Sequence, residues 1–342
     1  MKIKLFAILL IVIMMITLSS CKPEETEITI LNNKEKPVVA MVADVNGFGY
    51  NPFNDAALAG LEKAKLDFGI DIVIYEPVTV EEYEETIQMA VKNGADLVLT
   101  RGLHMADATK LVAEANPEVK FAIFDFPEIT GDNIISAFFN EQEGSFLMGI
   151  IAAMTTKTEI VGFIGGMQFP IDERYEYGFK AGVMTINPEI EVLTDYIGSY
   201  SDESLSKIAA LKQHENGADV IYHSTDLFGT GIIEAAEEQG FWALGVGKES
   251  PVLKSSAVLV TLTKEIDKAI YLTVKELSEG SLEAGRRVYG IADEGIQLLD
   301  SNENLSAEVL ETLEDFKEKV RRNNINVPYD LATFEKFEGI ED

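Results

Sequence analysis

A chain of 342 residues, 46% hydrophobic and 25% charged, has ordinary globular composition and can bury a sizeable core, which excludes a disordered or repetitive chain. At this length two lobes of roughly 100–200 residues each are expected. Lys and Arg number 28 against 58 Asp and Glu, a formal net charge of −30, so the surface field repels phosphate backbones and makes nucleic acid a poor partner.

The first element reads as an export signal. Lys2 and Lys4 precede an uncharged apolar run from Leu5 to Leu18, shorter than the about 20 residues that span a bilayer, and small residues follow it. Leu18-Ser19-Ser20-Cys21 resembles a bacterial lipobox, whose cysteine becomes the lipidated first residue of the mature protein. Cys21 is the only cysteine, so no internal disulfide can form, and lipid attachment gives it a role that needs no partner. Residues 1–20 are therefore expected to be a signal peptide, and 21–36, polar and carrying Pro23 and four glutamates, a tether. Two or more acyl chains on Cys21 would hold the protein at the outer face of the cytoplasmic membrane.

From Pro37 onward short β-branched runs alternate with helical stretches, the pattern of parallel sheets covered by helices on both faces. The strands are expected at Val38–Val45, Ile72–Tyr75, Leu97–Thr100, Phe121–Phe126, Ile134–Phe138, Ile160–Ile164, Val192–Tyr196, Val220–His223, Ala243–Val246 and Val258–Leu262. Ala57, Leu61, Ala64 and Phe68 recur at helical spacing, as do Val309, Leu313, Phe316 and Val320, and mark buried helix faces. Asn93-Gly94-Ala95-Asp96 before LVLT is echoed by Asn216-Gly217-Ala218-Asp219 before VIYH. Each glycine can take the left-handed conformation that ends a helix before a buried strand, so the echo points to two similarly built lobes. In such a protein ligands sit beyond the carboxyl ends of the strands.

Several chemistries lack their parts. His104, His214 and His223 are the only histidines and show no metal-ligand spacing, so neither zinc nor another metal is expected. There is no Gly-x-Ser-x-Gly elbow, the cysteine is committed to the N-terminus, and the residues around Gly247-Lys248 fail the phosphate-loop pattern. Ile160 to Gly166, IVGFIGG, is read as a tight strand-to-loop turn rather than a dinucleotide site. Neither catalysis nor a cofactor is expected.

The post-strand segments carry an ordered set of motifs: Val42-Ala43-Asp44 followed by Pro52-Phe53-Asn54, GSFLMGIIAA from Gly144 to Ala153, and Val161-Gly162-Phe163-Ile164-Gly165-Gly166. Tyr177-Gly178-Phe179-Lys180-Ala181-Gly182-Val183 leading to Asn187-Pro188, then Gly217-Ala218-Asp219 and Gly229-Thr230-Gly231, complete it. In this order, over about residues 37–300, the chain resembles the basic membrane protein family of ABC-transporter substrate-binding lipoproteins, which are similar to purine nucleoside receptors. The resemblance implies a type I periplasmic-binding-protein fold, two doubly wound lobes joined by three crossings that close as a hinge. The crossings are expected near Ala137–Asn140, Val260–Thr263 and Ala284–Arg287. Lobe one is then 37–138 plus 262–284, and lobe two 139–261 plus 285–342.

The resemblance also implies binding positions. Asp44, Phe53 and Asn54, with Tyr50 beside them, would hold a flat heterocycle, although Phe53 also suits a core. Asp107 matches a polar position after the third strand or is a helix-start carboxylate, and Lys264 is a donor to ligand or a surface ion pair. The family often reads G-V-D where this chain has Gly245-Val246-Gly247, so a sugar-binding carboxylate is missing. Asp226 would replace it, and Phe228 would supply the second face of an aromatic sandwich or plug the pocket. Tyr175 is a further ligand-side aromatic, and Gly229 opens a helix whose free N–H groups would face the cleft or serve only as a structural cap.

The expected function is capture of a small aromatic solute, a purine nucleoside or relative, by a lipid-anchored monomer that delivers it to an ABC permease and its ATPase subunits. Riboflavin or a bare nucleobase is the nearest alternative ligand. Ligand sensing is an alternative role, and a nucleoside hydrolase a more distant one.

Overall fold

The computed structural model describes residues 36–339 except Asn46, Tyr50, Pro127, 225–228, 248–254 and 301–303. The expected signal peptide, Cys21 and nearly all of the tether lie outside these residues, as do Tyr50, Asp226 and Phe228 of the expected binding set. Among the described residues no helix is long and apolar enough to cross a membrane.

Two six-stranded sheets organise the chain. The first contains β1 (Val38–Val42), β2 (Asp71–Tyr75), β3 (Leu97–Arg101), β4 (Lys120–Phe124) and β5 (Ile134–Phe139), with β11 (Gly285–Tyr289) added later in the sequence. Its order is β11-β5-β4-β3-β1-β2, parallel throughout. The second contains β6 (Ile160–Gly165), β7 (Glu191–Tyr196), β8 (Val220–His223), β9 (Trp242–Val246), β10 (Val258–Lys264) and β12 (Ile296–Leu299). Its order is β12-β10-β9-β8-β6-β7, and only the β10–β12 pairing is antiparallel.

Helices cover both faces of each sheet because the central strands are apolar on both sides. In lobe one, α1 (Pro52–Phe68) and α8 (Ile266–Glu279) pack on one face, and α2 (Tyr83–Lys92) and α3 (Gly102–Ala115) on the other. In lobe two, α4 (Glu141–Thr155) and α5 (Pro170–Ile186) cover one face, α6 (Glu203–Glu215) and α7 (Gly229–Gln239) the other. The C-terminal α9 (Ala307–Arg321) lies against α4 through an edge contact of Phe316 with Phe146, and α10 (Leu331–Phe334) lies against α5. The four residues Val309, Leu313, Phe316 and Val320 are buried, as their spacing requires.

The repeated tetrapeptide does the same job in each lobe. Gly94 and Gly217 both have positive φ, 87° and 103°, and each leads into the strand beside its lobe's first strand, β3 beside β1 and β8 beside β6. Asp96 accepts from the Val38 N–H at the start of β1 (2.7 Å), and Asp219 from the Lys157 N–H shortly before β6 (2.7 Å).

Three crossings connect the sheets. The first follows β5 at Asn140, and the second follows β10 at Lys264–Glu265, just past the expected Val260–Thr263, because β10 runs on to Lys264 and α8 then packs on lobe one. The third lies between β11 and β12, at residues 290–295, and not at Ala284–Arg287. Gly285–Tyr289 pairs with β5 in the first sheet, so these residues belong with lobe one and not with the second lobe. The crossings are bonded to one another: the Asn140 N–H donates to Tyr289 O (2.9 Å) and the Glu265 N–H to Gly295 O (2.9 Å). Glu143 at the start of α4 adds a clamp, accepting from Asn140 Nδ2 (2.6 Å) and from the Ile291 N–H (2.8 Å). A side chain at Gly290 would collide with this carboxylate.

Candidate functional site

Residues just past the carboxyl ends of the parallel strands form one connected polar group. Asp44 follows β1, Arg101 ends β3, Asp125 follows β4, Glu141 follows β5 and Lys264 ends β10. The Tyr83 hydroxyl donates to Asp44 Oδ1 (2.5 Å), and Arg101 Nη1 lies 3.6 Å from Asp44 Oδ2. Arg101 Nε donates to Asp125 Oδ2 (3.3 Å), and Lys264 Nζ donates to both Asp125 oxygens (2.9 and 3.0 Å) and to Glu141 Oε1 (3.4 Å). Charge therefore alternates in sign from Asp44 to Glu141, along the edge of lobe one and into the hinge. Asp125 takes a left-handed backbone, φ 58°, a conformation that favours glycine and is worth keeping only where surroundings hold it.

Lobe two contributes Asp172, Tyr175, Tyr200 and Ser224. Asp172 near the start of α5 accepts from the Ser224 hydroxyl (2.8 Å), the Gly166 N–H (3.3 Å) and the Tyr200 hydroxyl (2.5 Å). Burial and the neighbouring Asp172 carboxylate push the Tyr200 hydroxyl well above the ordinary phenol range.

Burial and charge set the protonation of this group. Burial opposes ionisation of Asp125, but the Lys264 ammonium and the Arg101 guanidinium outweigh it and hold the carboxyl below the usual range. Burial pushes Glu141 up, against the pull of Lys264 and with added repulsion from Asp125. Burial likewise raises Asp172 despite its hydrogen-bond donors, and raises Tyr175 well above the ordinary phenol range, reinforced by Glu141.

The expected site residues divide. Asp44 and Lys264 sit in the charged group. Phe53, 6% exposed, packs against Phe124 (6.4 Å between centroids) and lies under the Arg101 guanidinium, 4.2 Å from its centroid. Tyr175 is buried against Tyr222. Asn54 is fully buried and its amide is committed to the loop after β1: it accepts from the Asp44 N–H (3.1 Å) and donates to Asp44 O (3.1 Å) and Gly47 O (2.9 Å). Asn54 thus shapes the loop, leaving at most one of its hydrogen-bonding positions for a solute. Asp107 stands exposed in the second turn of α3, and among the described residues no hydrogen bond or ion pair joins it to the charged group. Gly229 opens α7 under the ring of His223, where a Cβ would come within 2.5 Å of Cε1, so close approach alone requires glycine there.

Arg101, Asp125, Glu141, Asp172 and Tyr200 escaped sequence reasoning. The first three stand directly at or after strands in LTRG, IFDF and FFNE, so their position was the available signal. Gly247 has φ 120° and donates its N–H to Leu262 O (2.9 Å). That backbone suits glycine.

Two doubly wound lobes joined by three crossings, with ionic and hydroxyl groups beyond the strand ends, define the periplasmic-binding-protein fold. The family model for PnrA-like ABC transporter substrate-binding proteins matches residues 37–330, and the chain belongs to this basic membrane protein family. It is similar to basic membrane protein A2 of Borrelia garinii subsp. bavariensis, 31% identical over 309 residues that cover 88% of this chain and 91% of that one. It is also similar to the ABC transporter nucleoside-binding protein BmpA of Lactococcus lactis subsp. cremoris, 28% identical over 91% of this chain and 94% of the other. A solute-binding protein of an ABC transporter system from Aeropyrum pernix superposes with a TM-score of 0.75 at 25% identity, covering 88% of this chain and 96% of that chain.

Proposed function

We propose that this protein is a lipid-anchored receptor that captures a purine nucleoside between its lobes and hands it, without chemistry, to an ABC permease and its ATPase subunits. The alternating charged group from Asp44 to Glu141 carries the reading. It offers acceptors and donors suited to sugar hydroxyls and ring carbonyls, beside the Phe53 and Arg101 pair. The formal net charge of −30 disfavours an added phosphate, so a neutral solute suits the protein better than a phosphorylated one. The name of the Lactococcus lactis relative agrees with this ligand class. Gly247 keeps a bare nucleobase or riboflavin as the second reading, because it removes a carboxylate that a ribose would use.

Thermal unfolding of the purified mature chain with nucleosides, nucleobases, riboflavin and nucleoside monophosphates tests this. A nucleoside at a hundred times its Kd should stabilise by about 2.7 kcal/mol, and the monophosphates far less. Absence of stabilisation by any flat heterocycle would reject the reading. Cys21→Ala should leave the protein unacylated and no longer held by lipid; unchanged membrane retention would argue against the anchor.

A further inference from the structure

We infer that the plate on which the ligand ring lies is the Arg101 guanidinium, with Phe53 as its backing; this rests on the nucleoside reading above. Phe53 is nearly inaccessible, 6% exposed, with Phe124 on one side and the guanidinium 4.2 Å from its centroid. The Arg101 side chain is 28% exposed, while Phe53 beneath it is 6% exposed. Its plane is held at two corners, by Asp125 (3.3 Å) and Asp44 (3.6 Å), and Asp125 is itself fixed by Lys264. Moving the guanidinium aside would break both pairs and leave Asp44 and the buried Asp125 without this cation. Stacking the ring on it costs none of these contacts and adds a cation against an electron-rich face. Lysine would keep the charge between the carboxylates but present no plane.

The test titrates inosine and hypoxanthine into the mature protein by calorimetry and ultraviolet difference spectroscopy, in wild type, Arg101→Lys and Arg101→Gln. Arg101→Lys should lower inosine affinity about tenfold or more and weaken the stacking-induced hypochromism, with the melting temperature of the unliganded protein little changed. Phe53→Leu should weaken binding in wild type and do little more in the Arg101→Lys background, the sign of two residues acting as one plate. Should Arg101→Lys fail to fold, Arg101→Gln provides the same reading through lost charge. Wild-type affinity in both variants would overturn the assignment, and so would tighter binding, which would make the guanidinium a competitor for the Phe53 face. If the wild type binds no purine at all, the nucleoside reading falls and takes this assignment with it, an outcome distinct from variants that bind as well as wild type.

Discussion

Asp125 and Lys264 show how a single pair can serve both folding and binding. The carboxylate is 4% exposed and the ammonium 13%, so each depends on the other for the solvation that water no longer supplies. Lys264→Met would leave Asp125 with Arg101 alone and Glu141 without its cation. It should cost about 3 kcal/mol or more in urea unfolding and abolish tight solute binding, whereas removing an exposed, solvent-screened pair such as Lys268–Glu294 should leave the unfolding midpoint nearly unchanged. At this scale the sequence showed where to look better than what to choose. Lys264, Asp44 and Phe53 were legible from a family pattern. Asp125 and Arg101 were not, because nothing in IFDF or LTRG announces that β3 and β4 pair as neighbours with Arg101 opposite Phe124, which brings those side chains into contact. Asn54 was legible as important, but its amide turns inward to the backbone of its own loop.

The packing of helix α4 against α5 explains two of the motifs that carry the family resemblance. Gly149, Gly178 and Gly182 lie where the two backbones nearly touch: a Cβ at Gly182 would overlap the Phe146 carbonyl, and one at Gly149 the Phe179 carbonyl. The glycines of GSFLMGIIAA and YGFKAGV let these two helices pack at backbone distance. Gly182→Ala should destabilise by about 1–3 kcal/mol or more while leaving the Kd for solute within about twofold, separable by unfolding and titration of the same sample. Among strands, the apolar central ones were readable because burial on both faces demands uninterrupted Val, Ile and Leu. β11, GRRVY, was missed because it is a largely exposed edge strand whose two arginines disguise it, Arg287 pairing with Glu276 and Arg286 lying over Phe138. β12 is a four-residue edge strand, too short to show a period.

Across the molecule, several carboxylates are held away from their ordinary titration, in opposite directions. Glu141, Glu143 and Asp172 are raised chiefly by burial, so the folded state binds their protons more tightly than the unfolded chain. Their contribution improves as pH falls from neutral toward the ordinary carboxylate values, and relief of the −30 net charge acts with the same sign. Asp125 is lowered, so its contribution is complete above the unfolded value and is lost as pH falls through the folded one. The melting temperature should therefore hold or rise from pH 8 to about pH 5 and drop steeply below about pH 4; a monotonic fall from pH 8 downward would contradict this balance. Glu143→Ala, which takes the acceptor from the Ile291 N–H, should cost about 1–3 kcal/mol in unfolding experiments.

The stitching of Asn140 to Tyr289 and of Glu265 to Gly295 makes a three-ply ribbon of what would otherwise be separate threads. A single thread lets two bodies swivel freely, but a ribbon flexes easily in one plane and resists torsion. Distances between spin labels at the two lobe tips should then change along one coordinate on adding solute, and a membrane transporter would meet both tips at the same bearing on every delivery.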